Sequence, residues 1–225
     1  MKIICTTSNG YDHVLKITVF LFNKFWDDRQ QVEIVGYDKP NFDLPNNFIF
    51  HSLGKQTGGT TSFTRDLREY FKKQDKYFIW VMCDTFFKAQ VNFKALKFLQ
   101  SLTKNDNVGR IHLTIGIDRQ KFYSVYNKQE DFIVYEAHQE APYRLSTQPS
   151  IWSRDFVLKY MQQDLTPWEF ELQPSINDDY HILGLSKIQS PVQHNEGVRK
   201  RDLYEYNLEG IDINVINEMK QLKLI

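Results

Sequence analysis

The chain is 225 residues long, enough to bury a substantial core, and its 28 basic and 28 acidic side chains cancel to a formal net charge of +0. That balance excludes a global field directed at nucleic acid or a membrane surface, and no apolar run approaches the roughly 20 residues a membrane span needs. Two cysteines, Cys5 and Cys83, fall in predicted buried strands. With no signal peptide ahead of the first strand, they point to reduced thiols and a cytoplasmic setting. Aromatic residues make up 15% of the chain, a content better suited to a packed core than to stacking platforms.

In chain order, Lys2 to Thr6 reads as a first strand, followed by the turn residues Thr7-Ser8-Asn9-Gly10. A helical period then runs from Tyr11 to Trp26, with Val14, Ile17, Phe20, Leu21 and Phe25 on one face. Strands are predicted over Val32 to Tyr37 and Phe48 to Leu53, which completes a strand–helix–strand unit. The hydroxyls of Thr6, Thr7 and Ser8 could hold a nucleotide, although turn chemistry alone also accounts for them. The glycine-dense stretch Gly54 to Ser62 contains Gly58-Gly59 and precedes a helix over Phe63 to Lys73. Such a loop lets backbone N–H groups approach a phosphate, but it lacks the Gly-Lys-Ser/Thr ending of a P-loop.

Tyr77 to Phe87 reads Tyr-Phe-Ile-Trp-Val-Met-Cys-Asp-Thr-Phe-Phe, an apolar run entering one carboxylate, Asp84. A short continuous apolar run suits a buried strand of an α/β sheet, and ligands bind such sheets at the carboxyl edge where Asp84 would lie. Phe93 to Leu102 has a core-facing helical stripe, Val108 to Ile117 is a predicted strand, and Phe122 to Tyr126 with Phe132 to Tyr135 a predicted hairpin. Tyr143 to Trp152 alternates like a strand entering a pocket wall, and Ser153 is a predicted N-cap for a helix through Met161.

In Thr166-Pro167-Trp168-Glu169-Phe170-Glu171 the threonine, proline and first glutamate match a capping box. Glu169 therefore has a structural task, whereas Glu171 has none and is the freer acid for general-base work. Lys187 to Gln193 reads as a strand, followed by His194-Asn195-Glu196-Gly197 and the basic run Arg199-Lys200-Arg201. A last helix is predicted over Asp212 to Leu222. No repeat, low-complexity tract or linker divides the chain.

Gly58-Gly59, Asp84, Trp168 with Glu171, and His194, in this order, resemble the nucleotide-sugar glycosyltransferases of the GT-A fold. The phrases Leu145-Ser-Thr-Gln-Pro-Ser-Ile-Trp152 and Pro167-Trp-Glu-Phe-Glu171 are similar to those of small stand-alone glycosyltransferases of bacteria and their viruses. The resemblance implies a single Rossmann-like α/β domain, with a mixed, mainly parallel central sheet flanked by helices. Its nucleotide-binding half would span about residues 1–90 and its acceptor and catalytic half about 91–225.

It implies sugar transfer from a UDP-type donor to a hydroxyl of a glycan or other acceptor, inverting, with Glu171 as base and Glu169 as the second candidate. Thr6, Thr7, Ser8, Gly58, Gly59, Arg65, Asp66 and Asp84 would bind donor, and Gln148, Trp152 and Trp168 acceptor. A divalent Mn²⁺ or Mg²⁺ would sit on Asp84 and His194. The family carries a pair of acids where this chain has Cys83-Asp84, so Arg199, Lys200 and Arg201 are the alternative partners of the leaving diphosphate. Two other readings stay open: a viral enzyme glycosylating a hydroxymethylated pyrimidine in DNA, and a non-catalytic sugar-binding or scaffold protein.

Overall fold

The computed structural model describes the chain except residues 59–61, 115–122, 130, 163, 174–177 and 200–201. It is a mixed α/β protein, as expected, and it divides into two compact units. One comprises Lys2–Gly54, Val81–Val91 and Val192–Ile225; the other comprises Met1, Lys55–Trp80 and Asn92–Pro191. The chain leaves the second unit for the first inside a strand, between Trp80 and Val81.

The first unit, built around the chain start, holds parallel strands β1 (Ile3–Thr6), β2 (Val32–Gly36) and β3 (Phe48–Ser52) in the order β3-β2-β1. Helix α1 (Asp12–Phe25) connects β1 to β2 and buries Val14, Leu15, Ile17, Thr18, Val19, Leu21 and Phe22. Full burial of each large apolar side chain contributes about 1.5–3 kcal/mol. The buried face is turned from the expected one: Phe20 and Phe25 are only half-buried, and Phe22 goes inward instead. There it stacks on Trp26 at 5.2 Å and meets Phe48 and Phe87 edge-on at 5.6 Å.

The middle unit holds Tyr77–Trp80 of β4 (Tyr77–Met82), which pairs antiparallel with β9 (Ser150–Ser153). β9 pairs antiparallel with β6 (Val108–His112), and β6 runs parallel to β10 (His181–Leu185). The expected hairpin, β7 (Tyr123–Gln129) with β8 (Phe132–Ala137), pairs through β8 with β10. Helices α2 (Phe63–Phe71), α3 (Phe93–Ser101), α4 (Arg154–Tyr160) and α5 (Pro167–Leu172) belong to this unit. Ser153 caps α4 by accepting from the Phe156 N–H at 3.4 Å, as expected. The apolar centre is aromatic: Trp80, Trp152, Phe156 and Phe170 are fully buried, with Trp80 and Trp152 centred 5.4 Å apart.

One expected strand is absent among the described residues, and another is reduced to its last residues. Residues 143–149 form turns, with Tyr143 at φ +60°, and only Ser150–Ser153 is extended. Residues 187–193 also form turns, and the strand lies earlier, at His181–Leu185. Ile188 is 93% exposed, so this segment has no apolar anchor there to seat a strand. No helix among the described residues is long and apolar enough to cross a membrane.

Candidate active site

Asp84 stands in a tight turn between β4 and a short strand not foreseen from sequence, β5 (Thr85–Phe87). Its backbone is held from both sides within the first unit. On the near side, the Cys83 N–H donates to the Thr6 carbonyl at 2.9 Å, and the Thr18 hydroxyl donates to the Cys83 carbonyl. On the far side, β5 pairs antiparallel with β11 (His194–Glu196), and the Gly197 N–H donates to the Asp84 carbonyl at 2.6 Å. Only glycine fits there: a Cβ on residue 197 would lie 2.6 Å from the Phe86 ring and 2.8 Å from the Asp84 oxygen. The expected carboxylate thus stands at the carboxyl end of β1, beside the Thr7–Asn9 turn, on the edge where open α/β sheets bind ligands.

The turn is tied in the same way. The Thr7 N–H donates to Val35 at 2.9 Å, and Gly36 lies so close that a Cβ would sit 2.7 Å from the Thr7 methyl. Thr6, however, is a core residue: it is 2% exposed and its hydroxyl points to the Met82 sulfur at 3.2 Å. Its assignment to the donor is therefore corrected, because the hydroxyl faces the interior. Ser8 accepts the Tyr11 N–H at 3.3 Å, and Asn9 is joined to Asp38 at 2.6 Å.

Two residues near this edge escaped the sequence reading. Burial, then the negative charge available at Cys83 and Asp84, raises the Tyr11 phenol above its ordinary value. Lys88 follows β5, donates to Asn195 at 3.0 Å and stands close enough to His194 to disfavour its protonation. The signal for both was position alone, immediately after a strand or its turn.

His194 lies across from Phe87 on β11. Burial first, and Lys88 second, hold its imidazole down to about 4, so it is neutral near pH 7. The neutral ring is the ligating form. Cys83 cannot join it readily, since burial and then Asp84 push the thiol up to about 12. Among the described residues there is no group of three or more His, Cys, Asp and Glu side chains that could hold a metal. Asp84 and His194 would need phosphate oxygens and water to complete a shell for Mn²⁺ or Mg²⁺. The set does not make a metal cage by itself.

The middle unit carries the other candidates. The capping box is present as expected: Glu169 N–H donates to the Thr166 hydroxyl at 3.2 Å and the Thr166 N–H to Glu169 at 2.8 Å. Those bonds to Thr166 hold the Glu169 carboxyl below its ordinary range. Glu171 also has a task, contrary to expectation. Its Oε1 accepts both the Thr147 N–H and the Thr147 hydroxyl, the latter at 2.7 Å. No local pattern encodes that contact, because Thr147 lies 24 positions away in the chain.

Trp168 is 63% exposed and available as a platform, but Trp152 is fully buried. Its acceptor role is corrected: the ring packs against Trp80, Phe156 and Phe170 and carries the Arg110 guanidinium at 4.9 Å. Gln148 uses its carbonyl to accept from Ser150 at 2.7 Å. Arg65 donates to Asp66 at 3.0 Å, Asp164 at 3.2 Å and Thr57 at 3.3 Å, which ties the glycine-bearing loop to α2. A Cβ on Gly58 would lie 2.9 Å from the Ser62 Cβ. Gly59, Lys200 and Arg201 lie outside the described residues, and Arg199 is placed on the short strand β12 (Val198–Arg199). The structure thus gathers Thr7, Ser8, Asp84 and His194 in one unit, and Gly58, Arg65, Asp66, Gln148, Trp168, Glu169 and Glu171 in the other.

No protein-family model matches the chain, and no curated protein matches it. Among solved structures it is similar to the crystal structure of HddC from Yersinia pseudotuberculosis, at 13% identity and a TM-score of 0.46, over 98% of this chain and 99% of that one. A likeness at this level carries no argument about chemistry.

Proposed function

We propose that the protein is a glycosyltransferase that moves a sugar from a nucleotide-sugar donor to a hydroxyl acceptor with inversion. The observation that supports this reading best is Asp84, its backbone fixed at the carboxyl end of β1 and beside a polar turn, with Lys88 after the strand that follows and neutral His194 on the strand paired to it. In the reaction, the acceptor oxygen attacks the anomeric carbon as the bond to the diphosphate breaks. The acceptor proton passes to Glu171, and the nucleoside diphosphate departs with its electron pair. Lys88 and the Thr7–Asn9 turn are assigned to the phosphates. Glu171 is assigned as base ahead of Glu169, because the latter's carboxylate is committed to the capping box.

Thermal-shift titration with UDP-, GDP-, CMP- and TDP-sugars, with and without Mn²⁺, tests the donor assignment, since a ligand that binds only the folded state raises Tm. One donor class is expected to raise Tm in the wild type and in Glu171→Gln. Asp84→Ala is expected to fold but to lose that shift. Glu171→Gln should lose roughly 10²–10⁴-fold in transfer rate, and Glu169→Gln, which can still cap, should keep most of it. The reading fails if no donor shifts Tm, or if Asp84→Ala keeps both the shift and turnover.

A further inference from the structure

Arg110 is the most deeply buried cation in the middle unit, with 0% of its surface exposed. Burial lowers its hold on the proton only to about 9, so it remains charged at neutral pH. Besides the Trp152 ring and the His112 Nδ1, it serves one loop. Nε donates to Ser150 Oγ at 3.0 Å, Nη1 to the carbonyls of Tyr143 at 3.3 Å and Arg144 at 3.1 Å, and Nη2 to that of Gln148 at 3.5 Å. Arg144 fixes the same loop from the other side. It donates to the Ala137 carbonyl at 2.9 Å and pairs with Asp178 at 3.2 Å, where side-chain exposures are 2% and 0%. Residues 143–150 are therefore clamped on both flanks of Thr147, which is itself 8% exposed.

From that clamp Thr147 presents two donors to a single oxygen, Glu171 Oε1. Among the described residues nothing is seen to donate to Oε2. A carboxylate held by two donors on one oxygen has its plane fixed and its second oxygen aimed. We infer that Thr147 is a positioning residue for the transfer reaction, orienting Glu171 so that Oε2 meets the acceptor hydroxyl, with Arg110 holding the loop that carries it. The inference rests on Glu171 being the base. The bland alternative is a loop latch, in which Glu171 merely fastens residues 143–150 to α5 and the bond affects stability alone.

Thr147→Val keeps the shape and the N–H donor but removes the hydroxyl donor, and Thr147→Ser restores it. Release of nucleoside phosphate from the donor sugars above, with kcat, KM and the pH profile measured for each variant, separates the readings. Thr147→Val is expected to lose about 10-fold in kcat, as for one charge-assisted hydrogen bond, with little change in donor KM. A carboxylate that loses a donor holds its proton to higher pH, so the acidic limb of the profile should move upward. Thr147→Ser should recover both kcat and the limb. If Glu171→Gln is inactive while Thr147→Val keeps wild-type kcat and pH profile and loses only Tm, the positioning role is overturned and the base stands. If the wild type turns over no donor, or Glu171→Gln is fully active, the base assignment falls and this inference with it.

Discussion

The two units fix their candidate groups by different physics. In the middle unit the loop bearing Thr147 is held by buried charge: Arg110 on four loop groups, and Arg144 on Asp178, which also accepts from the Tyr160 hydroxyl. In the unit built around β1, Asp84 is held by backbone hydrogen bonds and by the close approach of Gly197 and Gly36, with apolar rings behind it. Charge holds at a distance but is sensitive to removal of a partner. Steric contact is insensitive to charge but tolerates no added atom.

The contrast breaks most sharply at Asp178. Replacing it with Ala takes away the carboxylate that the buried Arg144 guanidinium pairs with, a loss of about 3–5 kcal/mol. Urea unfolding should show this, and a double substitution of Arg144 and Asp178 by Met and Leu should recover much of it. If Asp178→Ala unfolds within 1 kcal/mol of wild type, about what an ordinary substitution costs, buried charge is not what holds this unit.

Next comes Gly197→Ala, whose added methyl must displace Phe86 or the Asp84 carbonyl. Overpacking of this kind costs about 1–3 kcal/mol. Phe86→Leu in the same chain should relieve part of it, and the donor-induced rise in Tm should shrink with the single change because Asp84 has moved. An unaltered donor response would separate Gly197 from the site.

The smallest effect is the most diagnostic of charge. Both His112 in the middle unit and His194 in the other are held below the ordinary histidine value, chiefly by burial, with Arg110 and Lys88 as the respective second causes. As pH falls past 6.5 the unfolded chain takes up these protons before the folded one, so stability declines; the part owed to His194 declines down to about pH 4 and then levels. His194→Gln should flatten its part of that decline and leave the part owed to His112. Denaturant midpoints at pH 4, 5, 6 and 7 measure it, and an unchanged slope in His194→Gln would contradict a half-buried, neutral imidazole.

Elements governed by local pattern were legible in the sequence. The run from Tyr77 into Asp84, the capping box at Thr166 and the Ser153 cap are each written within a few residues, and each is present. Elements governed by distant partners were not. Residues 143–149 alternate like a strand, but Arg110 takes their carbonyls and turns them away from a ladder. Trp152 read as a pocket wall because its composition cannot reveal that Trp80 and Phe170 enclose it. The Glu171–Thr147 bond and the Gly197–Asp84 approach join segments far apart in the chain, so no window of sequence contains either.

The passage of the chain between units inside β4 has a consequence during synthesis. Lys55–Trp80 and Asn92–Pro191 can assemble once Pro191 has emerged, whereas the other unit must wait for Val192–Ile225. Until then β5 has no β11 beside it, the Asp84 carbonyl has no Gly197 N–H, and Lys24 on α1 lacks the Glu218 carboxylate it meets at 2.7 Å. A ribosome stalled before Val192 would thus display an open strand edge next to the acid, a target for chaperones or for pairing with another nascent copy.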